Sequence, residues 1–141
     1  MTKLNEVTKR FQFKEFEYTV NIVLTEDIQV SANRLAERWG FTSQKISDGC
    51  VGLHIGIGGK GISYVLLKFT TDFQSVAHES FHVVWRLFRH IGADFEEEVM
   101  AYCLDHVVGE IESLYFSTKV QEMQKKLDRR EKTLDKRKKR V

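Results

Sequence analysis

The stretch TDFQSVAHESFHVVWRLFRHI, residues 71–91, decides the fold. Its apolar side chains recur every three or four residues, which is the spacing of one face of an α-helix. Thr71 and Gln74 fit a capping box at the start, and Gly92 follows where a helix can end in the left-handed conformation. The stretch therefore predicts a long amphipathic helix, and the other elements are placed relative to it.

A second helix is predicted directly behind the first. Asp94 can cap it, with Glu97 as the capping-box partner, and its apolar pattern continues to about Phe116. Because the connection between the two helices is so short, the second must fold back against the first. We therefore expect an antiparallel helix pair.

The N-terminal half carries the signals of a strand and a short helix. Side chains alternate between apolar and polar over residues 16–24, which is typical of a half-buried strand. A short helix is predicted over residues 31–39, with Ser31 as its cap and Gly40 at its end. Residues 1–14 are weakly patterned and favour either a short helix or an extended arm.

Two further alternating runs, residues 51–58 and 62–69, flank a glycine-rich turn and predict a β-hairpin. The turn does not match a phosphate-binding P-loop, because His54 stands where that motif has its first glycine and Gly61 stands where it has Ser or Thr. The predicted order is β, α, β, β, α, α. It favours an α+β fold with a three-stranded, mostly antiparallel sheet.

Length and composition limit what else the chain can be. Its 141 residues suit one domain, which we place at residues 1–116. The formal net charge is +2, but the charge is unevenly distributed, because residues 117–141 hold 11 Lys or Arg against 4 Asp or Glu. We expect these residues to form a basic tail, either helical or frayed. Two cysteines are too few for a disulfide framework, and no apolar run is long enough to span a membrane. We expect free thiols and a cytoplasmic protein.

The chemistry is concentrated in AHESFH, residues 77–82, which contains the pattern HExxH. Histidines four residues apart lie one turn apart on the same helix face, so His78 and His82 can bind one Zn²⁺ at about 2.0–2.1 Å. Glu79 lies beside them and is suited to take a proton from a zinc-bound water. The sequence thus predicts zinc as the cofactor and Glu79 as the general base.

A catalytic zinc also needs a third protein ligand. Glu96, Glu97 and Glu98 open the second helix. We predict Glu98 as the ligand, because Glu97 serves as the capping partner and Glu96 should face solvent in the first turn. The helix face that begins at Glu98 continues to Asp105, which could orient a zinc-bound imidazole through its second nitrogen.

Three side chains are candidates for stabilising the oxyanion of a tetrahedral intermediate. They are Tyr64 on the second hairpin strand, and Tyr102 and His106 on the same helix as Glu98. For His106, a half-buried structural role fits the pattern equally well. The sequence does not decide among the three.

HESFH followed by EVMAY resembles the gluzincin metallopeptidases, whose two site helices carry HExxH and then a glutamate in an ExxA-type context. The likeness is closer to short HExxH proteins encoded by bacteriophages and covers residues 50–116. It implies a zincin-like fold and zinc-dependent peptide-bond hydrolysis, in the host bacterial cytoplasm if the protein is phage-encoded. It also implies that residues 62–69 form the edge strand that holds an extended peptide. Tyr102 departs from the larger gluzincins, which often have an acidic residue at that position.

The sequence is also compatible with other functions. The zinc could hold two helices together in a non-catalytic binding or regulatory protein. The basic segment from Lys125 to Arg140 could bind nucleic acid or an anionic membrane surface, although a solvated helix is also compatible with such a run of charge. His78 and His82 could also be ordinary histidines of a helix.

Overall fold

A computed structural model describes residues 3–141, which form four strands and four α-helices. The strands are β1 (Glu6–Phe13), β2 (Tyr18–Thr25), β3 (Gly52–Ile57) and β4 (Ile62–Lys68), and the helices are α1 (Ile28–Trp39), α2 (Phe73–Ile91), α3 (Glu97–Tyr115) and α4 (Thr118–Lys139). A short 3₁₀ turn, Lys14–Phe16, joins the first two strands. The predicted α+β class is confirmed.

The prediction of three strands is wrong, because residues 6–13 add a fourth strand at one edge of the sheet. The strand order is β1-β2-β4-β3. Lys9 interrupts the inward alternation between Val7 and Phe13, which weakens the strand pattern in the sequence. The Lys9 ammonium lies 2.6 Å from a carboxylate oxygen of Glu110 on α3, so this inward position holds a paired cation instead of an apolar side chain.

The sheet is mixed, with antiparallel pairs at both edges and a parallel pair, β2 and β4, in the centre. Parallel neighbouring strands require a crossover connection. Between β2 and β4 the chain makes this connection through α1 and β3. Ile28 and Ala32 of α1 pack with Leu66 on one face. The larger apolar core lies on the other face, where Leu87 of α2 and Ile111 of α3 are fully buried. The sheet therefore separates α1 from the helix pair that contains HExxH.

The helices end as the sequence predicts but begin at other residues. Gly40 and Gly92 end α1 and α2 in the left-handed conformation, with φ of 73° and 67°. The predicted caps are wrong: α1 is capped by the carboxylate of Asp27 and α2 by that of Asp72, each of which accepts a backbone hydrogen bond. α3 begins after Glu96 without a side-chain cap.

The basic C-terminal segment is helical, which is one of the two alternatives that the sequence left open. The first half of α4 lies against the core, where Val120 is fully buried and Met123 and Leu127 are partly buried. The amide of Gln124 also donates a hydrogen bond to the carbonyl of Phe69, just beyond β4. Beyond residue 127 the helix is exposed. Among the helices described, none combines the length and apolarity that crossing a bilayer demands.

Candidate functional site

His78 and His82 converge on one face of α2. Their Nε2 atoms lie 3.2 Å apart, and both side chains are exposed. Two nitrogen ligands of a tetrahedral zinc lie about 3.3 Å apart at the usual bond length. The spacing of the two imidazoles therefore fits two neighbouring ligands of a single zinc ion.

Glu79 turns away from solvent and packs against β3. It is 7% exposed, and a Cβ atom built on Gly52 would lie 3.0 Å from its Cγ. Burial raises the pKa of Glu79, while the neighbouring charges of His78 and His82 lower it in part. A carboxylate with a raised pKa accepts a proton more readily, which suits a general base.

His54 of β3 lies beside the imidazole pair of His78 and His82. Its ring stacks on that of His82, with centroids 5.8 Å apart and planes 18° from parallel. Its Nε2 lies 2.8 Å from the Ser63 hydroxyl on β4. Burial, aided by the charges of His82 and Arg86, lowers the pKa of His54 to about 4, so this imidazole is neutral at pH 7.

Sequence reasoning did not select His54 as a site residue. The sequence feature that could have identified His54 is the run of residues 52–58, in which it is the one histidine among glycines on a single side of the strand. Gly52 faces Glu79, His54 faces His82 and Gly56 faces Arg86. Every residue on this side of β3 thus meets a polar side chain of α2.

The edge strand beside the site is β3 and not residues 62–69, because β4 lies between β2 and β3. The Lys68 amide donates to the Val51 carbonyl, so Val51 hydrogen-bonds to β4 and every second residue after it does the same. Alternation then directs the backbone N–H and C=O groups of Gly52, His54 and Gly56 to the open edge. Of these groups the Gly52 carbonyl accepts a hydrogen bond from the Cys50 thiol, and those of His54 and Gly56 form an open edge next to the imidazole pair.

The structure does not bring Glu98 to this pair. Glu98 is exposed in the first turn of α3, and within residues 3–141 no three His, Cys, Asp or Glu side chains are placed together to hold a metal ion. α3 lies over the β1 edge, as the bond between Glu110 and Lys9 shows, whereas His82 faces β3 at the opposite edge. The ligand set predicted from sequence is therefore only partly assembled.

The other predicted candidates lie elsewhere in the fold. The ring of His106 packs 5.2 Å from Phe11 of β1, while Asp105 is exposed and Tyr102 is 72% exposed. Tyr64 is buried on the α1 side of the sheet. Its hydroxyl accepts a hydrogen bond from the Trp39 indole, 3.1 Å away. None of these side chains is brought to His78 and His82.

Comparisons with protein-family models, with curated proteins and with solved structures found no match. A function for this chain is therefore inferred from its own geometry. The site offers two convergent imidazoles, a buried carboxylate with a raised pKa and an open strand edge beside them.

Proposed function

We propose that the protein binds zinc through His78 and His82 and hydrolyses peptide bonds with Glu79 as the general base. The observation that supports it best is the 3.2 Å separation of the two Nε2 atoms, one turn apart on α2. Zinc bound there would polarise the scissile carbonyl and acidify a water molecule. Glu79 would take the proton of that water and return it to the leaving amine.

The position of β3 supports a peptide as the substrate. An extended peptide that paired with this edge would use the outward-facing backbone groups of His54 and Gly56. It would then lie alongside His82, whose ring contacts that of His54. Strand pairing recognises the backbone rather than particular side chains, so it provides affinity without much sequence preference.

The third zinc ligand is a separate question. The sequence-based hypothesis assigns it to Glu98. We propose His54 as the alternative, because its ring stacks on that of His82, but within residues 3–141 neither His54 nor Glu98 is placed with the pair as a third ligand. Zinc binding through His54 would require a rotation of its ring, since its Nε2 is bonded to Ser63.

Elemental analysis of the purified protein tests the metal site. We expect about one zinc per chain in the wild type and in His106→Ala, and loss of the metal in the double variant His78→Ala/His82→Ala. His106 is the matched control because it is an exposed histidine that contacts β1 instead. Wild-type protein without zinc, or a double variant that retains it, would contradict the proposal. His54→Ala and Glu98→Gln then show which residue is the third ligand.

Hydrolysis of an unstructured protein substrate tests the catalytic step. Glu79→Gln should retain zinc and lose about 10²-fold or more in rate, because the proton acceptor is removed while both imidazoles remain. Equal rates for Glu79→Gln and the wild type would contradict the role of Glu79.

Nucleic-acid binding through α4 is a second proposal, supported by one observation. The last turn of α4 carries four consecutive basic residues, Lys136, Arg137, Lys138 and Lys139, and all are exposed. Binding to duplex DNA through these side chains should weaken steeply as salt rises. A titration at two salt concentrations tests it, with a variant in which all four are Gln. Equal binding by that variant would exclude this surface.

A further inference from the structure

A cavity of about 210 Å³ lies between the turn that joins β3 and β4 and the last turns of α2. The turn contributes glycines, and β2 contributes Tyr18. The helix contributes Arg86, Arg89 and His90. The cavity lies along the same side of α2 as the imidazole pair, since Arg86 follows His82 by four residues.

The cavity has an excess of positive charge. Within the described chain, neither Arg86 nor Arg89 forms an ion pair with a carboxylate. The acidic side chains of Glu15 and Glu17 line a neighbouring cavity on the far side of His90 and do not line this one. Burial raises the pKa of Tyr18, while its hydrogen bond with Ser63 and the charge of Arg86 lower it in part. Arg86 and Arg89 both line the cavity, so its lining is positively charged.

Two glycines make room for Arg86 and His90. A Cβ atom on Gly56 would lie 2.8 Å from Nε of Arg86, closer than real contacts allow. A Cβ atom on Gly61 would lie 2.9 Å from Nε2 of His90, and Gly61 has a φ of +63° that favours glycine. Arg86 thus packs directly on the backbone of β3 and His90 on the turn that follows it, and any other residue at either glycine would displace the side chain it contacts.

We propose that this cavity is an oxyanion-binding site that takes a carboxylate or phosphate group. Two guanidinium groups without carboxylate partners match the planar or tetrahedral oxygens of such an anion. The glycine-rich turn exposes backbone near Gly58 and Gly59, where N–H groups can add to an anion site. Arg86 lies about 6 Å from His82 along the helix axis, so the anion could belong to a substrate that also reaches the imidazole pair. The site does not depend on bound zinc.

Amide NMR titrations test the site. ¹⁵N-labelled protein is titrated with inorganic phosphate and, separately, with acetate, at constant ionic strength and pH. We expect the amide signals of Gly56, Gly59 and Gly61 to shift and saturate with at least one of the two anions. Saturation with phosphate alone or with acetate alone supports the site and identifies which group it takes.

Charge variants make the result specific. Arg86→Gln/Arg89→Gln should bind about tenfold more weakly or worse, and Arg86→Lys/Arg89→Lys should be intermediate because it keeps charge without the bidentate geometry. Arg10→Gln/Lys45→Gln removes the same charge from exposed positions outside the cavity and should bind as the wild type does. Unmoved glycine signals with both anions, or equal affinity in the wild type and the Arg86→Gln/Arg89→Gln variant, would overturn the proposal.

Discussion

Glu79 packs on the backbone of Gly52, which leaves no room for a side chain at that point of β3. A Cβ atom on Gly52 would lie 3.0 Å from Cγ of Glu79 and 3.0 Å from a methyl group of Leu67. The glutamate of the HExxH motif therefore packs directly against the edge strand. The absence of a side chain on Gly52 allows the buried position of Glu79, and that burial raises its pKa.

Gly52→Ala should be destabilising because the new methyl group pushes on both Glu79 and Leu67. We expect a loss of about 1 kcal/mol in the free energy of unfolding, as is usual when a packed site is overfilled. Urea denaturation measures it. Gly58→Ala is the matched control, because a Cβ there meets no atom within 4 Å and the glycine is exposed. Equal stability of the two variants would contradict the close packing of Glu79 on β3.

Local patterns predicted α2 and the convergence of its two histidines because both depend on neighbours in sequence. The helical period and the end at Gly92 follow from residues within a few turns of one another. The convergence of His78 and His82 is likewise a property of a single helix. These features needed no knowledge of the rest of the fold.

The remaining site depends on contacts between distant segments, which no local pattern contains. His54 meets His82 only because β3 lies at the edge of the sheet and runs beside α2. The helix pattern placed Glu98 at the start of α3 but could not show that α3 lies over β1, where Glu110 meets Lys9. The strand β1 was not predicted because Lys9, at an inward position, breaks the alternation of apolar and polar residues. Its pairing with Glu110 is a distant contact that no local pattern contains.

Ser80, in the middle of the HExxH motif, is fully buried, and its hydroxyl has no hydrogen-bond partner among the residues described. A buried polar group without a partner costs free energy that an apolar replacement avoids. Ser80→Ala should raise the free energy of unfolding by about 1 kcal/mol without altering zinc content. Ser75→Ala is a useful comparison on the same helix, because Ser75 is partly exposed. A loss of stability in Ser80→Ala would show that the hydroxyl is satisfied.

The first half of α4 should contribute to stability, and its basic end should not. Val120→Ala removes two methyl groups from a fully buried position, which should cost about 2 kcal/mol in the free energy of unfolding. Leu134→Ala, at a position that is 49% exposed, should cost less than about 0.5 kcal/mol. Chemical denaturation of both variants distinguishes a packed helix from a detached tail. Equal effects would mean that α4 does not dock through Val120.

Alkaline pH should destabilise the protein partly through Tyr115. Its hydroxyl donates a hydrogen bond of 2.6 Å to the Lys68 carbonyl, and burial raises the pKa of Tyr115 above its usual value. Above about pH 10 the unfolded state releases the phenolic proton while the folded state retains it, so stability falls as pH rises. At pH 9, Tyr115→Phe should be less stable than the wild type by about 1 kcal/mol, because the hydrogen bond is lost.

At pH 11 the difference in the free energy of unfolding between the wild type and Tyr115→Phe should be smaller by up to about 1 kcal/mol. The reason is that ionisation of this phenol stabilises the unfolded state of the wild type only. Comparing the two proteins at each pH cancels the contributions of the lysines and of Tyr18, which titrate in both. Urea denaturation at pH 9 and pH 11 measures the change. A difference that stays constant between the two pH values would show that Tyr115 ionises as easily in the folded protein as in the unfolded chain, which its bond to Lys68 argues against.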